Sequence, residues 1–422
     1  MSTDINSLLI PFQRFGVHLG LERINKLLMR LGNPHHQIPI IHVTGTNGKG
    51  SVCAYLSSIM TQAGYKVGRY TSPHLVDWTE RICLNEIPIS TETLTDILKT
   101  ISTVILPDEE SPTQFEVITA AAWYYFAQNK VDLAILEVGL GGRLDATNVC
   151  ENPLVSVITS ISREHWQTLG PTIAHIATEK AGILKLNCPA VIGHLPPCAE
   201  KVVLQKTQHL NCPTIWVDPS IPTQTQHAHY QLAKLIDIEY PLPLLGQVQL
   251  MNSAIAMATL GILRQKGWII PDEAIQEGMK KTFWPGRLQW IQWQNNSILI
   301  DGAHNPAAAE VLRQYVDTLP QPIHWVMGML STKDHEDIFQ AILRQNDQLS
   351  LVPVPDHSTA NPDSLAVLAR NICPNLSKIQ TFSELFVALD TAIQKNIEPK
   401  KTIVLCGSLY LVGYFLAKMK IN

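Results

Sequence analysis

Val43-Thr44-Gly45-Thr46-Asn47-Gly48-Lys49-Gly50-Ser51 decides how the first half of this chain is read. The apolar stretch 38–43 precedes it. Val52, Tyr55, Leu56, Ile59, Met60 and Ala63 follow at helical spacing as one buried face, and Gly64 is placed to end the helix. The unit is therefore a strand, a glycine turn and an amphipathic helix. Backbone N–H groups of such a turn suit phosphate oxygens at a helix N-terminus, and a lysine ammonium adds a point charge for the outer phosphates. Thr46, Asn47, Gly48, Lys49, Gly50 and Ser51 thus form the expected cradle of a nucleoside triphosphate. The match to a P-loop is incomplete: Val43 stands where the first glycine belongs, and Gly50 where a magnesium-binding Ser or Thr belongs. Either Ser51 serves phosphate or metal, or another segment supplies the magnesium ligand.

Outward from this turn, short β-rich apolar runs at 67–70, 131–138, 154–161, 190–192 and 214–217 alternate with helical stretches. Such alternation predicts a mostly parallel sheet with helices on both faces, whose ligands gather at the carboxyl ends of the strands. Gly45, Ser72, Glu137 and Ser162 all fall there. An antiparallel excursion is expected at 227–243, then helices at 246–265 and 271–281. Around Phe283-Trp284-Pro285-Gly286-Arg287 the pattern breaks, and a second alternation runs through 298–300, 323–327, 349–354 and 402–405. The expectation is two domains, 1–285 and a smaller α/β domain 286–422, joined by a linker near 284–296. A cleft between them is the expected place for a reaction of several substrates.

Composition narrows the class. With 422 residues, 45% hydrophobic and 16% charged, the chain is long and apolar enough for large cores in two or three domains. Thirty-two Lys and Arg against 36 Asp and Glu give a net charge of -4, and basic doublets are limited to pairs such as Lys280-Lys281 and Lys400-Lys401, so no nucleic-acid footprint is present. The eight cysteines form no CxxC pair and read as reduced thiols of a cytoplasmic protein. Residues 1–16 lack the basic start and long apolar core of a signal peptide. The most apolar stretch, 402–417, is too short to cross a bilayer and carries Gly407, Ser408 and Gly413, so no membrane association is expected.

A second constellation follows the P-loop. Glu137 ends the run 131–138 and leads into Gly139-Leu140-Gly141-Gly142-Arg143-Leu144-Asp145-Ala146-Thr147-Asn148. A carboxylate at the end of a buried strand is costly unless paired or on a metal. It reads as a magnesium ligand, with a surface glutamate as the alternative. His165 follows another strand end, and Thr168-Leu169-Gly170-Pro171-Thr172 opens a helix bearing Glu179, Lys180 and Gly182. On their own, His165 reads more readily as structural and Lys180 as a solvated helix lysine.

Taken together, these segments resemble the folylpolyglutamate synthase and dihydrofolate synthase family, relatives of the Mur ligases. The motifs are GTNGKGS at 45–51, TSPHL at 71–75, TER at 79–81, FE at 115–116, EVGLGGRLDATN at 137–148, LG at 169–170, EKAGI at 179–183, PGR at 285–287, DGAHNP at 301–306 and CGSLY at 406–410. They run in order over nearly the whole chain, and they are most similar to the bacterial bifunctional enzymes. The resemblance implies a Mur-ligase-like P-loop domain that binds ATP and pterin, then a Rossmann-like C-terminal domain for glutamate ligation. It implies that Lys49 holds the outer phosphates, that Ser72 and Glu137 hold one Mg2+, and that Glu137, His165 and Lys180 hold a second. Lys180 can ligate a cation only as a carbamate. Asn252, Arg287 and Asp301 join the ATP site, His304 is a further catalytic residue, and Thr113, Phe115 and Asp145 take the pterin. The alternative for Phe115 is a core aromatic on a helix. One departure is Glu164 beside His165, where the family usually has Asp.

The activity so implied is an ATP-dependent carbon–nitrogen ligase. It adds L-glutamate to dihydropteroate and to reduced folates through an acyl phosphate, with two Mg2+ and an optional monovalent cation. The chain is expected to be a monomer. The alternatives are polyglutamylation alone, a Mur-type ligase acting on a nucleotide-linked sugar, and a non-catalytic P-loop switch.

Overall fold

The computed structural model describes residues 5–13, 19–394 and 401–419. The stretch 1–16 lies only partly within them, and Lys400 lies outside. The chain divides into two compact units: Met1–Pro243 with Gln249–Phe283, and Leu244–Val248 with Trp284–Asn422.

The first unit is built on an eight-stranded sheet. Its strands are β1 (Ile40–Thr44), β2 (Val67–Tyr70), β3 (Ile82–Leu84), β4 (Ile87–Pro88), β5 (Leu133–Glu137), β6 (Val155–Ile158), β7 (Ala190–Ile192) and β8 (Thr214–Trp216), in the order β4-β3-β2-β5-β1-β6-β7-β8. Strand β1 pairs in parallel with β5 on one side and β6 on the other, and all five of its residues are buried. A strand covered on both faces needs a continuous apolar run instead of alternation, which Ile40-Ile41-His42-Val43 supplies. One face packs on the helices Thr91–Thr103 and Gln114–Gln128 through Leu98, Val117, Ile118 and Phe126. Elsewhere, the helices Ile173–Lys180 and Pro197–His209 pack with Ile158, Ala190 and Ile192 through Ile176 and Val203.

Two features of this unit differ from the sequence reading. The helix after the glycine turn, Lys49–Gln62, is not amphipathic: every residue from Ser51 to Met60 is buried. Its outer side is covered by the helix Asp272–Lys281, which approaches so closely that a Cβ at Gly278 would collide with the Ile59 backbone. Ser58 Oγ donates to the Gly278 carbonyl at 2.7 Å, so small polar residues are tolerated inside. The second feature is the β3–β4 hairpin at the sheet edge, with Asn85 (φ 48°) and Glu86 (φ 68°) in its two-residue turn. The antiparallel excursion is a separate sheet of β9 (Ile221–Gln224), β10 (His227–Leu232) and β11 (Ile236–Pro241), followed by the helix Val248–Gln265.

The second unit has a six-stranded sheet of β12 (Gln289–Trp293), β13 (Asn296–Ile300), β14 (Ile323–Met327), β15 (Gln348–Leu351), β16 (Lys378–Thr381) and β17 (Thr402–Cys406), in the order β12-β13-β17-β14-β15-β16. Only β12 runs antiparallel. It lies within the stretch read as a linker, paired with β13 from Gln289↔Ile300 to Trp293↔Asn296 through a turn in which Gln294 and Asn295 have positive φ. Helices Pro306–Val316, His335–Ile342 and Pro362–Ile372 cover one face, and Leu385–Gln394 and Leu409–Met419 the other. The helix after β17 therefore lies on the opposite face from those after its neighbours β13 and β14. Such a reversal opens a crevice at the strands' carboxyl ends.

Among the described residues no helix is long and apolar enough to cross a membrane.

Candidate active site

Gly48 caps the helix Lys49–Gln62 with φ 88°, a conformation that suits glycine. The first helical turn leaves the N–H groups of Lys49, Gly50 and Ser51 without intrahelical acceptors, the ordinary basis of anion binding at a helix start. The preceding amides are used differently. Thr46 N–H donates to Ser160 O at 2.7 Å and Asn47 N–H to Ser160 Oγ at 3.0 Å, while Thr159 Oγ1 donates to Asn47 O at 2.6 Å. Thr46 and Asn47 thus hold the loop on the polar segment after β6. A Cβ at Gly45 would collide with Thr159 Oγ1, and one at Gly48 with Asn252 Oδ1. Asn252 is fixed there by Nδ2–H to Gln249 Oε1 (3.0 Å), which also accepts Tyr55 O–H (3.1 Å).

Glu137, at the carboxyl end of β5, is 4% exposed. Its Oε2 accepts Ser72 N–H at 3.2 Å, and its Oε1 lies 3.9 Å from Lys49 Nζ, which donates to Thr46 O at 3.1 Å. Lys180, at the end of the helix Ile173–Lys180, is buried with Nζ donating to Gly45 O at 2.7 Å. Burial, reinforced by the Lys49 ammonium, brings its pKa down to about 7 against the partial opposition of Glu164 and Asp145. The glycine-rich segment packs on this helix: Arg143 N–H donates to Glu179 O, and a Cβ at Gly142 would press on the carbonyls of Glu179 and Lys180. The structure thus brings Lys49, Ser72, Glu137 and Lys180 around the P-loop. His165 sits at φ 50° before the helix Trp166–Leu169, half exposed, with Nε2 4.0 Å from Glu164 Oε1. Glu164 thus places its carboxylate at ion-pair distance from the His165 ring. Among the described residues no group of three or more His, Cys, Asp or Glu side chains could hold a metal.

The pterin candidates meet at one place. Thr113 caps the helix Gln114–Gln128: its Oγ1 accepts Glu116 N–H at 3.2 Å and its own N–H donates to Glu116 Oε2 at 2.6 Å. The Phe115 ring lies 6.2 Å from the Tyr70 ring and so near Gly139 that a Cβ there would overlap it. Asp145 is buried, accepting Leu140 N–H (2.8 Å), Thr147 N–H (3.0 Å) and Thr147 Oγ1–H (2.6 Å). Burial raises its pKa against those donors.

In the second unit, Asp301 follows β13 and accepts Leu288 N–H (2.8 Å) and Ala303 N–H (2.7 Å). Burial raises its pKa, with Arg287 and His304 acting the other way. His304 Nδ1 donates to Gly302 O at 2.7 Å. These residues lie at the crevice described above, whose β17 side begins with Gly407 and Ser408.

Sequence reasoning missed Thr159 and Ser160, which frame the P-loop, and Gln249, which fixes Asn252. The polar cluster Thr159-Ser160-Ile161-Ser162 at a strand end was the available signal for the first pair.

Comparison with known proteins fits this arrangement. Residues 43–260 match the Mur ligase middle domain, and residues 287–418 match the dihydrofolate synthetase C-terminal domain. The first match alone covers more than half of the chain, which marks the architecture as that of a Mur-type ligase. The chain is 38% identical to a dihydrofolate synthase/folylpolyglutamate synthase of Bacillus subtilis, over 96% of each chain. Among solved structures it resembles a folylpolyglutamate synthase of Thermotoga maritima (35% identity, TM-score 0.80, 96% and 95% of the two chains covered). It also resembles the Escherichia coli FolC described in complex with DHPP and ADP (31% identity, TM-score 0.85, 98% and 96% covered). The chain belongs to the dihydrofolate synthase/folylpolyglutamate synthase family, and is thereby an ATP-dependent ligase.

Proposed function

We propose that the protein joins L-glutamate to the carboxylate of dihydropteroate, forming dihydrofolate, and extends reduced folates by the same chemistry. The observation that carries this reading is the meeting of the P-loop, the buried Glu137 and the Phe115–Gly139–Asp145 cluster within one unit. A carboxylate does not react with an amine directly, because oxide is not a viable leaving group. An oxygen of the pteroate carboxylate attacks the γ-phosphorus of ATP, and ADP leaves. The glutamate amine then adds to the acyl phosphate, loses a proton, and the tetrahedral adduct expels phosphate as the amide forms. Lys49 and the first-turn amides stabilise charge on the transferring phosphoryl group. Thr46, Asn47, Gly48, Gly50, Ser51, Asn252, Arg287 and Asp301 complete the proposed ATP set. His304, in the second unit, is assigned an orienting role toward the glutamate or the phosphorylated intermediate.

The donors suit Mg2+ at two sites. Ser72 and Glu137 offer the oxygens that a hard cation prefers. His165 and Lys180 complete a second set with Glu137 only if Lys180 carries a carbamate, since an ammonium repels a cation. Its lowered pKa supports that form, because carbamylation needs the neutral amine. When bound, Mg2+ would offset phosphate charge and orient the transferring group. Thr113, Phe115 and Asp145 are assigned to the pterin: a ring face and a buried carboxylate suit a flat heterocycle with an amino-pyrimidine edge. We further propose a cytoplasmic monomer, with an optional monovalent cation and no nucleic-acid or membrane partner. The eight free cysteines support a reducing compartment.

The test is to supply purified protein with ATP, Mg2+ and glutamate, and either dihydropteroate or tetrahydrofolate. Consumption of both is expected. If only tetrahydrofolate is consumed, the protein extends folates and does not make dihydrofolate.

A further inference from the structure

Arg23 lies on the helix Glu22–Arg30, outside the stretch that matches the Mur ligase middle domain. Its side chain is 13% exposed, and its Nε is 3.1 Å from both carboxylate oxygens of Glu116, itself 4% exposed. Nη1 reaches Glu110 Oε1 at 3.2 Å. The same Glu116 closes the cap on Thr113, one position before the turn that carries Phe115. Two further tethers come from neighbouring parts of the N-terminal segment. Gln114 Nε2 donates to Leu9 O at 3.3 Å, and Gly20 N–H donates to Leu144 O at 3.3 Å, next to Asp145. One stretch of chain therefore holds both segments assigned to the pterin.

A capping box needs only its Thr and Glu. A nearly buried arginine from a helix 93 residues away adds something else: it fixes where the Glu116 carboxylate sits. Without that cation, the nearly buried Glu116 carboxylate would lose the partner that fixes its place and would turn toward solvent. That turn loosens the cap and the Phe115 ring that rests against Gly139. The P-loop is held by other contacts, to Ser160, Thr159 and Asn252, and would not feel the change.

We propose that Arg23 is a positioning residue for pterin recognition, acting through Glu116 and Thr113 on Phe115. The proposal rests on the pterin assignment above. Arg23→Gln should raise the KM for dihydropteroate about tenfold or more, the scale of losing a partner that orients a binding residue. The KM values for ATP and glutamate should stay within about twofold, and Arg23→Lys should recover part of the loss by restoring the charge. Glu110→Gln, which removes only the more exposed partner, should change little. Should Arg23→Gln fail to fold, Arg23→Lys carries the same test, since it keeps a cation but loses the planar fork. Equal rises in KM for pterin and ATP, a fall in kcat alone, or no change would overturn the proposal. A wild-type protein that leaves dihydropteroate untouched would instead overturn the pterin assignment, whatever the Arg23 variants do.

Discussion

His42 offers a prediction with a defined sign and size. It lies on the central strand β1, 1% exposed, with Nε2 2.9 Å from Thr147 Oγ1. That hydroxyl donates its only proton to Asp145 Oδ1, so it must accept from the histidine, which fixes a neutral ring protonated on Nε2. Burial, with a smaller contribution from Lys185, brings the imidazole pKa down from 6.5 to about 3. Protonation therefore favours the unfolded chain. The stability that neutral His42 contributes is complete above its unfolded pKa of 6.5 and is lost as pH falls toward about 3. At about pH 5 the loss is 1.5 pH units at 1.36 kcal/mol each, or about 2 kcal/mol. His42→Gln retains an N–H donor for Thr147 but cannot titrate. In urea unfolding of the transition that includes β1, the drop in stability between about pH 7 and about pH 5 should be about 2 kcal/mol smaller in the variant. Other groups, including His35, titrate in both proteins and cancel. Equal drops in wild type and variant would refute the reasoning.

Lys49→Ala and Glu137→Gln should fold normally, by circular dichroism and melting, yet lose roughly 10²-fold or more in turnover; retention of a tenth of wild-type turnover in either would remove it from the chemistry. Gly139→Ala places a methyl group in the Phe115 ring, so it should weaken dihydropteroate binding, read as KM, while leaving the KM for ATP unchanged. If Lys180 acts as a carbamate, activity should fall when bicarbonate and carbon dioxide are removed, and Lys180→Ala should be partly rescued by a short carboxylic acid. A free amine found by intact mass in active, metal-loaded protein would rule that out.

The α/β class and the helix start at Lys49 were legible because glycines and continuous apolar runs mark strand ends locally. The β3–β4 hairpin was not, since strands of three and two residues are too short for periodicity to register. Strand β12 was hidden by the Pro285-Gly286 break and by tryptophans at Trp290 and Trp293 that blur its alternation. The helix Lys49–Gln62 read as amphipathic because Ser57 and Ser58 are polar by type, whereas in the fold they lie under other elements. In the site, Lys49 and Glu137 could be singled out from their places at strand ends. The approach of Asn252 to Gly48 and the grip of Arg23 on Glu116 join distant parts of the chain, and such pairings leave no trace in local spacing.

The central claim is that ATP is spent on activating the pteroate carboxylate inside this protein. Dihydropteroate carrying heavy oxygen in its carboxylate, incubated with protein, ATP, Mg2+ and glutamate, tests it directly by mass spectrometry of the products. The account predicts dihydrofolate together with inorganic phosphate that has gained one labelled oxygen from each fully labelled carboxylate. Unlabelled phosphate accompanying dihydrofolate formation, or no reaction of dihydropteroate at all, would contradict it.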